Sequence, residues 1–437
     1  MPAPKPATRK AVADGFVNFE AKLGVGANNQ FSGGRYSFDF LTHKRSELEA
    51  AYRTSWLVGA ACDMPAEDMT RAGIEIASTH TPAEIDRLQA GLNDLMVWQR
   101  LAEAVKWARL FGGAIAVLLI DGQDLSTPLR PETVGQEAFK GLLVLDRWTA
   151  IPSTELVSDY GPSFGLPVSY AVTADAQALP GMTVHHSRVL RFTGLDLPYY
   201  QRQVEQGWGE SVVERIHDRL LAFDSASQGA AQLVFKAHLR TWKIPKLREL
   251  IAAGGKLLDA VTKQVAVTRA YQSNEGLTLI DAEDSFDTHA YNFAGLDTVL
   301  LQFGQQLAGA LETPLVRLFG QSPAGLNSSG ESDLRTYYEG IGRKQETYLR
   351  RPLGVILDIL CRSLLGAEPP EGFNFTFRPL WQTSDRDKSA IARETTAAVV
   401  EAFTAGVVDR ETAIKELRQG SRVSGVWSNV GVNLPDR

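Results

Sequence analysis

The chain has 437 residues, enough for two or three compact units with their own hydrophobic cores. Apolar residues make up 44% and charged residues 22%, which is typical of a globular protein and excludes a collagen, a coiled-coil rod and bulk disorder. The formal net charge is −6. This acidic balance disfavours a sequence-specific DNA binder, because phosphate neutralisation supplies most of the affinity of such proteins. It is compatible with a protein past which DNA slides.

Neither a membrane protein nor a secreted one is expected. The longest apolar run, Ala114–Ile120, is far too short to span a bilayer. The start of the chain lacks the basic and apolar stretches of a secretory signal, and Met1–Arg9, rich in Pro and Ala, is expected to be a mobile arm. Cys62 and Cys361 each lie in an apolar helical pattern, which predicts two buried free thiols in a reducing compartment.

The sequence pattern of the first half of the chain predicts an α+β unit. Helical spacing of apolar residues indicates a helix over Ser46–Ala72, with Glu67, Asp68 and Arg71 facing outward. Thr81 is expected to cap the next helix. The remaining predicted elements are the helices Pro82–Asp94 and Val97–Phe111 and the strands Ala114–Ile120, Leu142–Leu145, Ser169–Val172 and Arg188–Phe192.

A long helix is predicted after Gly209. Ser211 and Glu214 have the spacing of a capping box, and neither Pro nor a turn cluster interrupts the sequence before Pro245. About 33 residues of helix would reach roughly 50 Å, which is long for a compact domain. The many Ala and Gly residues of this helix favour close packing in a bundle or ring.

The rest of the chain is predicted to be mainly helical. A polar Gly/Ser/Asn-rich loop covers Gly320–Gly330 and carries no charge after Gly320. A helix over Glu331–Leu365 is expected to kink at Pro352, which lacks a backbone donor. The other predicted elements are a helix pair over Leu247–Ala270 broken at Gly254–Gly255, a strand Leu277–Ile280, a helix Leu296–Leu311, a strand near Phe373–Phe377 and a helix Ser384–Phe403.

No catalytic residue, metal site or cofactor is predicted. Gly24-Val-Gly26 lacks the third glycine and the preceding strand of a dinucleotide-binding loop, and the chain has no Gly-x4-Gly-Lys-Ser/Thr. Gly320–Gly325 has one residue too many for a nucleophile elbow, so Ser322 is interpreted as a turn residue. The seven histidines and two cysteines show no metal-ligand spacing. Acidic pairs such as Glu67–Asp68 are interpreted as solvated surface.

A basic cluster follows the predicted long helix. It is either a solvated, salt-bridged surface or a face that meets a protein partner or nucleic acid. Its members are Lys236, Arg240, Lys243, Lys246, Arg248, Lys256, Lys263 and Arg269.

Four stretches resemble bacteriophage portal proteins, in particular a subfamily long known only as a domain of unknown function in phages and prophages. Leu48–Gly73 is similar to the family's opening helix, His186–Gly194 to a strand motif before the stem, and Gly207–Ser211 to the start of the first stem helix. The most specific stretch is Pro314–Glu331, which is similar to the family's Pro-x3-Leu-x-Gly segment and tunnel loop. The resemblance extends from about Ser46 to Gly420, and the predicted elements follow the same order as in the family.

This resemblance implies a ring, usually of twelve subunits, with wing, stem, clip and crown regions around a central channel. The implied fold is α+β and predominantly helical. In this chain the regions would be a partly disordered N-terminal arm (1–45), the wing (46–209), a descending stem helix (210–243), the clip (244–295), a returning stem helix (296–317), the tunnel loop (318–331), a long kinked wing helix (332–372), and a C-terminal wing strand with a small helical crown (373–437).

The resemblance also implies function and partners. The ring would be a non-enzymatic DNA conduit at one capsid vertex of the virion, assembled in the host cytoplasm, for genome packaging, head–tail joining and DNA ejection. Its partners would be further copies of itself, the terminase large subunit, capsid and scaffold proteins, head–tail adaptors and double-stranded DNA bound without sequence specificity. ATP hydrolysis would belong to the terminase motor, so no cofactor is implied.

Two groups of site residues follow from this mapping. The first would face DNA in the tunnel loop: Gln321, Ser322, Leu326, Asn327, Ser328 and Ser329. The second would form a basic stem and clip face for DNA, motor or neck partners: Lys236, Arg240, Lys243, Lys246, Arg248, Lys256 and Lys263.

Two other interpretations stay open. One is a phage structural or adaptor protein that forms no channel and is a monomer or dimer. The other is an enzyme acting on a nucleotide or nucleic acid, which requires a polar pocket with converging titratable groups.

Overall fold

The fold is α+β and predominantly helical, as predicted. The computed structural model describes residues 40–235, 238–243, 255–271, 285–290, 295–320, 330–381, 385–424 and 426–427. Its α-helices are α1 (Arg45–Thr54), α2 (Trp56–Thr70), α3 (Pro82–Asp94), α4 (Val97–Phe111), α5 (Tyr199–Val204), α6 (Val212–Phe235), α7 (Gly255–Tyr271), α8 (Leu296–Ala310), α9 (Leu315–Phe319), α10 (Glu331–Lys344), α11 (Arg350–Leu360), α12 (Asp385–Thr404) and α13 (Arg410–Ser424).

The described strands form four small antiparallel sheets. Their orders are β3-β2-β7, β4-β5-β6, β1-β10 and β8-β9. The strands are β1 (Ile74–Ala77), β2 (Gly113–Ile120), β3 (Phe139–Asp146), β4 (Ala150–Pro152), β5 (Ser169–Val172), β6 (Thr183–His185), β7 (Val189–Thr193), β8 (His238–Lys243), β9 (Ser285–Ala290) and β10 (Asn374–Phe377). The central strand β2 is buried along nearly its whole length, which explains its continuous apolar run.

The first helices begin and end close to the predicted positions. The predicted helix over Ser46–Ala72 is two helices, because Ser55 adopts an extended backbone between α1 and α2. The predicted cap at Thr81 is confirmed as a capping box. The Thr81 hydroxyl accepts from the Glu84 backbone N–H, and the Glu84 carboxylate accepts from the Thr81 N–H at 2.9 Å.

Three hydrophobic clusters hold these elements together. The largest packs α2, α3 and α4 against α11 and one face of the β3-β2-β7 sheet. A second, at the base of α6, joins α1, α2 and the end of α4 to α6 and α8 through residues such as Leu57, Leu110, Ile216 and Leu307. The third lies between the two three-stranded sheets and includes Trp208. Both predicted thiols are buried and free, as expected.

The long helix after Gly209 ends earlier than predicted. Helix α6 ends at Phe235, and residues 238–243 form strand β8, which pairs with β9 in the register Arg240↔Thr288 and Trp242↔Phe286. The prediction of helix through Lys243 is therefore wrong. Strand pairing between segments far apart in sequence outweighed the local helical pattern. The predicted strand Leu277–Ile280 lies outside the described residues.

The helix predicted over Glu331–Leu365 is continuous but irregular. Helix α10 passes into a π-helical turn at Gln345–Leu349, then into α11 and a second π-helical turn at Cys361–Leu365. Pro352 lies in the first turn of α11, where its ring would otherwise meet the carbonyl of Tyr348. The predicted distortion is thus present, but as a wider turn that ends three residues before Pro352.

Candidate functional site

The predicted DNA-facing loop is described at its two edges. Gly320 ends α9 with a φ of 67°, and Gly330 precedes α10 with a φ of 62°, a conformation that favours glycine. The predicted site residues between them, which we call the 321–329 segment, lie outside the described residues: Gln321, Ser322, Leu326, Asn327, Ser328 and Ser329. The described part of the candidate site therefore consists of the side chains that contact α9 and α10, the helices on either side of this segment.

Asp68 contacts both helices that flank this segment. It was expected to face outward, but its side chain is only 1% exposed, so that prediction is wrong. Its carboxylate accepts a hydrogen bond from the Tyr337 hydroxyl at 2.8 Å and lies 3.4 Å from the Arg317 guanidinium. Arg71, the residue directly after α2, lies 3.5 Å away. A sequence signal was available, because Asp68 follows the buried Ala61 by seven residues, or two helical turns.

These contacts alter the ionisation of the two partners. Burial raises the pKa of the Tyr337 hydroxyl well above its usual range, and the Asp68 charge raises it further. For Arg317, burial acts against the charged form, but the neighbouring Asp68 outweighs burial and the pKa is raised. Both partners therefore keep their protons at neutral pH, and Tyr337 remains a hydrogen-bond donor to the carboxylate.

Hydrogen bonds between residues far apart in sequence hold the base of α6. The predicted capping box is only half formed, since the Ser211 hydroxyl accepts from the Val213 N–H at 3.1 Å but the Glu214 carboxylate turns away. Glu214 instead accepts from the backbone N–H and the hydroxyl of Thr42. The Ser211 N–H donates to that same Thr42 hydroxyl at 3.1 Å. The capping-box prediction is thus wrong in its second bond, because a distant residue is the better donor.

Glycines make the junction between the α+β unit that precedes α6 and α6 itself. The Gly112 carbonyl accepts from the N–H groups of both Gly194 and Gly209, at 2.8 and 2.9 Å. A Cβ on Gly194 would lie 2.3 Å from the Glu210 carbonyl oxygen, and one on Gly113 would lie 2.2 Å from the Trp208 ring. These two sequence motifs, His186–Gly194 and Gly207–Ser211, therefore meet in space, and glycine is needed where the backbones touch.

The predicted basic face is described in part. Lys256 and Lys263 are exposed and lie two turns apart on α7. Arg240 and Lys243 belong to β8, but their side chains are outside the described part of the structure. Lys236, Lys246 and Arg248 lie wholly outside the described residues. The basic face as a whole therefore stays a prediction.

A cavity of about 250 Å³ lies beside the base of α6. Its charged side chains are mostly paired: Lys344 lies 2.9 Å from Glu312, and Arg215 lies 2.7 Å from Glu210. Hydrogen bonding to Lys344 lowers the pKa of Glu312, and burial lowers the pKa of Arg109, which donates to the Ala61 carbonyl. Thr193, Asp196 and Tyr348 also line the cavity.

Among the described residues, the two cysteines, the possible metal ligands and the apolar helices can each be assessed from the structure. Burial raises the pKa of Cys62 to about 12 and that of Cys361 to about 11, so both thiols are protonated and poorly reactive at neutral pH. Among the described residues, no group of three or more His, Cys, Asp or Glu side chains is placed to hold a metal. No described helix has both the length and the apolarity to cross a bilayer.

The chain belongs to the phage portal protein family, whose model matches residues 46–401. This confirms the resemblance drawn from the sequence.

Three relatives extend this comparison. An uncharacterized protein from Haemophilus influenzae is 30% identical over 424 residues, which is 97% of this chain and 92% of that protein. Two proteins named anti-CBASS protein Acb1, from Sphingomonas paeninsulae and a Caulobacter species, are 30% and 28% identical over 383 residues, or 84% of this chain. The aligned region spans only 60% of the length of each Acb1 protein.

Solved structures share the fold at low sequence identity. The chain is similar to subunits from the neck of an empty gene transfer agent particle computed with C6 symmetry (TM-score 0.54, 13% identity) and the neck of a native particle computed with C12 symmetry (0.52, 12%). These alignments cover 88% and 89% of this chain and 95% and 96% of those chains. The portal fold predicted from the sequence is therefore confirmed.

Proposed function

We propose that this chain is the subunit of a portal ring, usually of twelve copies, that forms the DNA conduit at one vertex of a phage capsid. The ring would serve genome packaging, head–tail joining and DNA ejection. The observation that carries the proposal is the packing of α6 against α8 at one edge of the wing core, in a chain of the portal family. Subunits of similar fold come from particle necks with C6 and C12 symmetry, which supports a ring.

The surface of this helix pair supports neighbours in a ring. Leu221 on α6 is 51% exposed, and Val299 on α8 is 48% exposed. The inner sides of both helices are already covered by their mutual packing. Large apolar side chains on the outer sides are typical of helices that meet further copies in a closed ring.

The 321–329 segment is proposed to face DNA in the channel. It joins α9 to α10, and its residues carry no charge. An uncharged Gly/Ser/Asn-rich segment offers hydrogen bonds to a phosphate backbone without a deep electrostatic trap, so DNA can slide past. Binding would read the backbone and shape of DNA rather than its base sequence.

Protein partners would meet the stem, clip and wing. The basic face that includes Lys256 and Lys263 would receive the terminase large subunit during packaging and the head–tail adaptors later. Capsid and scaffold proteins would contact the wing in the host cytoplasm during assembly, and the finished ring would belong to the virion. ATP hydrolysis would belong to the motor, and this chain would act without a cofactor and without catalysis.

Electron microscopy of the purified chain, combined with its mass in solution, tests the proposal. Rings with a central hole and a mass of about 574 kDa, twelve times the 47.8 kDa of one chain, are expected. A stable dimer with a closed interface and no pore would overturn the portal proposal and favour a non-channel adaptor.

A second candidate function is favoured by the two relatives named anti-CBASS protein Acb1. If the activity behind that name lay in the aligned region, this chain would protect a phage from CBASS. Phage challenge of a host with and without CBASS tests this, with the chain expressed in the host. A rise in phage titre confined to the CBASS host would support the second function, and equal titres would exclude it.

A further inference from the structure

Asp68 is a buried carboxylate with an unusual set of partners. It lies in α2, in the wing, and its side chain is almost fully removed from solvent. Removing a carboxylate from water is costly unless charged or hydrogen-bonding partners compensate. Three side chains supply this compensation: the Tyr337 hydroxyl at 2.8 Å, and the Arg317 and Arg71 guanidinium groups at 3.4 and 3.5 Å.

Two of these partners lie on opposite sides of the 321–329 segment. Arg317 belongs to α9, which ends at Phe319 directly before the segment. Tyr337 belongs to α10, which begins at Glu331 directly after it. One carboxylate in α2 therefore bonds to the helix that leads into the segment and to the helix that leads out of it.

Neighbouring contacts hold the same two helices against α2 and the wing. The buried Gln345 side chain, after α10, donates to the Met69 carbonyl at 2.8 Å. Phe319, the last residue of α9, packs edge-on against Trp56 at the start of α2, with 5.5 Å between ring centres. The third partner, Arg71, lies over the Tyr338 ring at 4.7 Å and donates to the Leu380 carbonyl. Asp68 lies between these contacts and carries the only negative charge in the set.

We propose that Asp68 is a positioning residue that fixes the two ends of the 321–329 segment relative to the wing. This inference rests on the proposed function of the segment as the DNA-facing part of the channel. Because the segment joins α9 to α10, the positions of these two helices constrain its two ends. Force that passing DNA exerts on the segment would pass through Arg317 and Tyr337 to Asp68 and the wing core.

Two variants test the anchor in the full chain. Asp68→Asn keeps the shape and can still accept from Tyr337, but it removes the charge that pairs with Arg317 and Arg71. Tyr337→Phe removes only the hydroxyl and is the milder change. The matched controls are Asp63→Asn and Tyr52→Phe, because Asp63 is also an α2 carboxylate but bonds to Tyr52 of α1, at 2.9 Å, and to Lys106 of α4.

Hydrogen exchange measures the anchor directly. Amides of α9 and of the first two turns of α10 are expected to exchange about three- to tenfold faster in Asp68→Asn, and to a smaller degree in Tyr337→Phe. Chymotrypsin cleavage within the 321–329 segment is expected to accelerate in parallel. Both controls are expected to match the wild type. Unchanged exchange in both test variants would overturn the inference, whatever the protein does with DNA.

The yield of DNA-filled particles tests whether the Asp68 anchor affects how the ring handles DNA. Particles whose portal is supplied by each variant are expected to contain normal rings, but Asp68→Asn should lower the yield of DNA-filled particles at least about threefold relative to Asp63→Asn. Equal yields, with faster exchange, would overturn the positioning role while leaving the anchor itself intact. If the wild-type chain formed no ring at all, the proposed function would fail, and the exchange result would still decide whether Asp68 holds the segment.

Discussion

Thr42 donates both its backbone N–H and its hydroxyl to one carboxylate oxygen of Glu214, at 2.6 and 2.5 Å. The two residues are 172 positions apart, and Thr42 is almost fully buried. Because the Thr42 hydroxyl also accepts from the Ser211 N–H, it satisfies a free donor at the start of α6. The residues that lead into α1 are thus part of the N-terminal cap of the predicted stem helix.

We expect Thr42→Val to lower the stability of the protein. The substitution keeps the shape but leaves the Ser211 N–H and the Glu214 carboxylate short of a buried partner, at a cost of about 1–3 kcal/mol. Urea unfolding followed by tryptophan fluorescence measures the shift in midpoint. Thr54→Val is the matched control, since the exposed Thr54 hydroxyl bonds only within its own helix, to the Ala50 carbonyl. Equal midpoints for the two variants would contradict the capping role of Thr42.

Gly113→Ala and Gly342→Ala are expected to act in opposite directions. A methyl group on Gly113 would lie 2.2 Å from the buried Trp208 ring, so we expect a loss of at least about 1–3 kcal/mol or failure to fold. A methyl group on Gly342, inside α10, meets nothing within 4 Å and should stabilise that helix by about 0.5–1 kcal/mol. Thermal denaturation measures both, and a tolerated Gly113→Ala would show that Trp208 can move aside.

A histidine pair should make stability fall in mild acid. Burial lowers the pKa of His185, and the charges of His186 and Arg188 lower it further; burial also lowers the pKa of His186. The His185 Nδ1 atom accepts from the Ser187 N–H at 3.2 Å, which a proton on Nδ1 would prevent. As the pH falls, the unfolded chain therefore takes up protons first. Stability is complete above the unfolded value of 6.5 and declines as the pH falls from there through the lower folded values.

Melting temperatures at about pH 7.5 and about pH 5.5 measure this effect. We expect the decrease in melting temperature to be smaller in the double variant His185→Gln, His186→Gln than in the wild type. His217→Gln is the control, because His217 is a partly exposed residue of α6, and it should retain the full decrease. A double variant with the wild-type decrease would assign the acid sensitivity to other groups.

Local patterns predicted much of the secondary structure, and long-range partners account for the rest. The Thr81–Glu84 capping box was predictable because all its atoms lie within one turn. The Ser211–Glu214 pair has the same spacing, but Glu214 bonds to Thr42, which no local pattern indicates. Likewise, β8 forms only because β9 lies beside it, so the helical pattern before Pro245 was misleading.

The candidate site was predictable to a similar extent. The family motif located the 321–329 segment, since its Pro, Gly and Ser residues are close in sequence. It did not reveal Asp68, because the helical spacing and the neighbouring Glu67 led to its interpretation as a solvated acid. A buried carboxylate is stable only beside specific partners, and here two of them, Arg317 and Tyr337, lie about 250–270 positions away. Their identity depends on the packing of α2 against α9 and α10, which is a property of the whole fold.

The 321–329 segment itself should affect DNA without affecting assembly. We expect the double substitution Leu326→Gly, Asn327→Gly to leave rings of normal mass, because α6, α8 and the three hydrophobic clusters are untouched. It should alter DNA retention or packaging, because the segment loses an apolar side chain and an amide that can contact the DNA backbone. Electron microscopy of the rings and the DNA content of particles measure the two effects separately. Loss of the ring in this variant would mean that the segment lies in a subunit interface rather than in the channel.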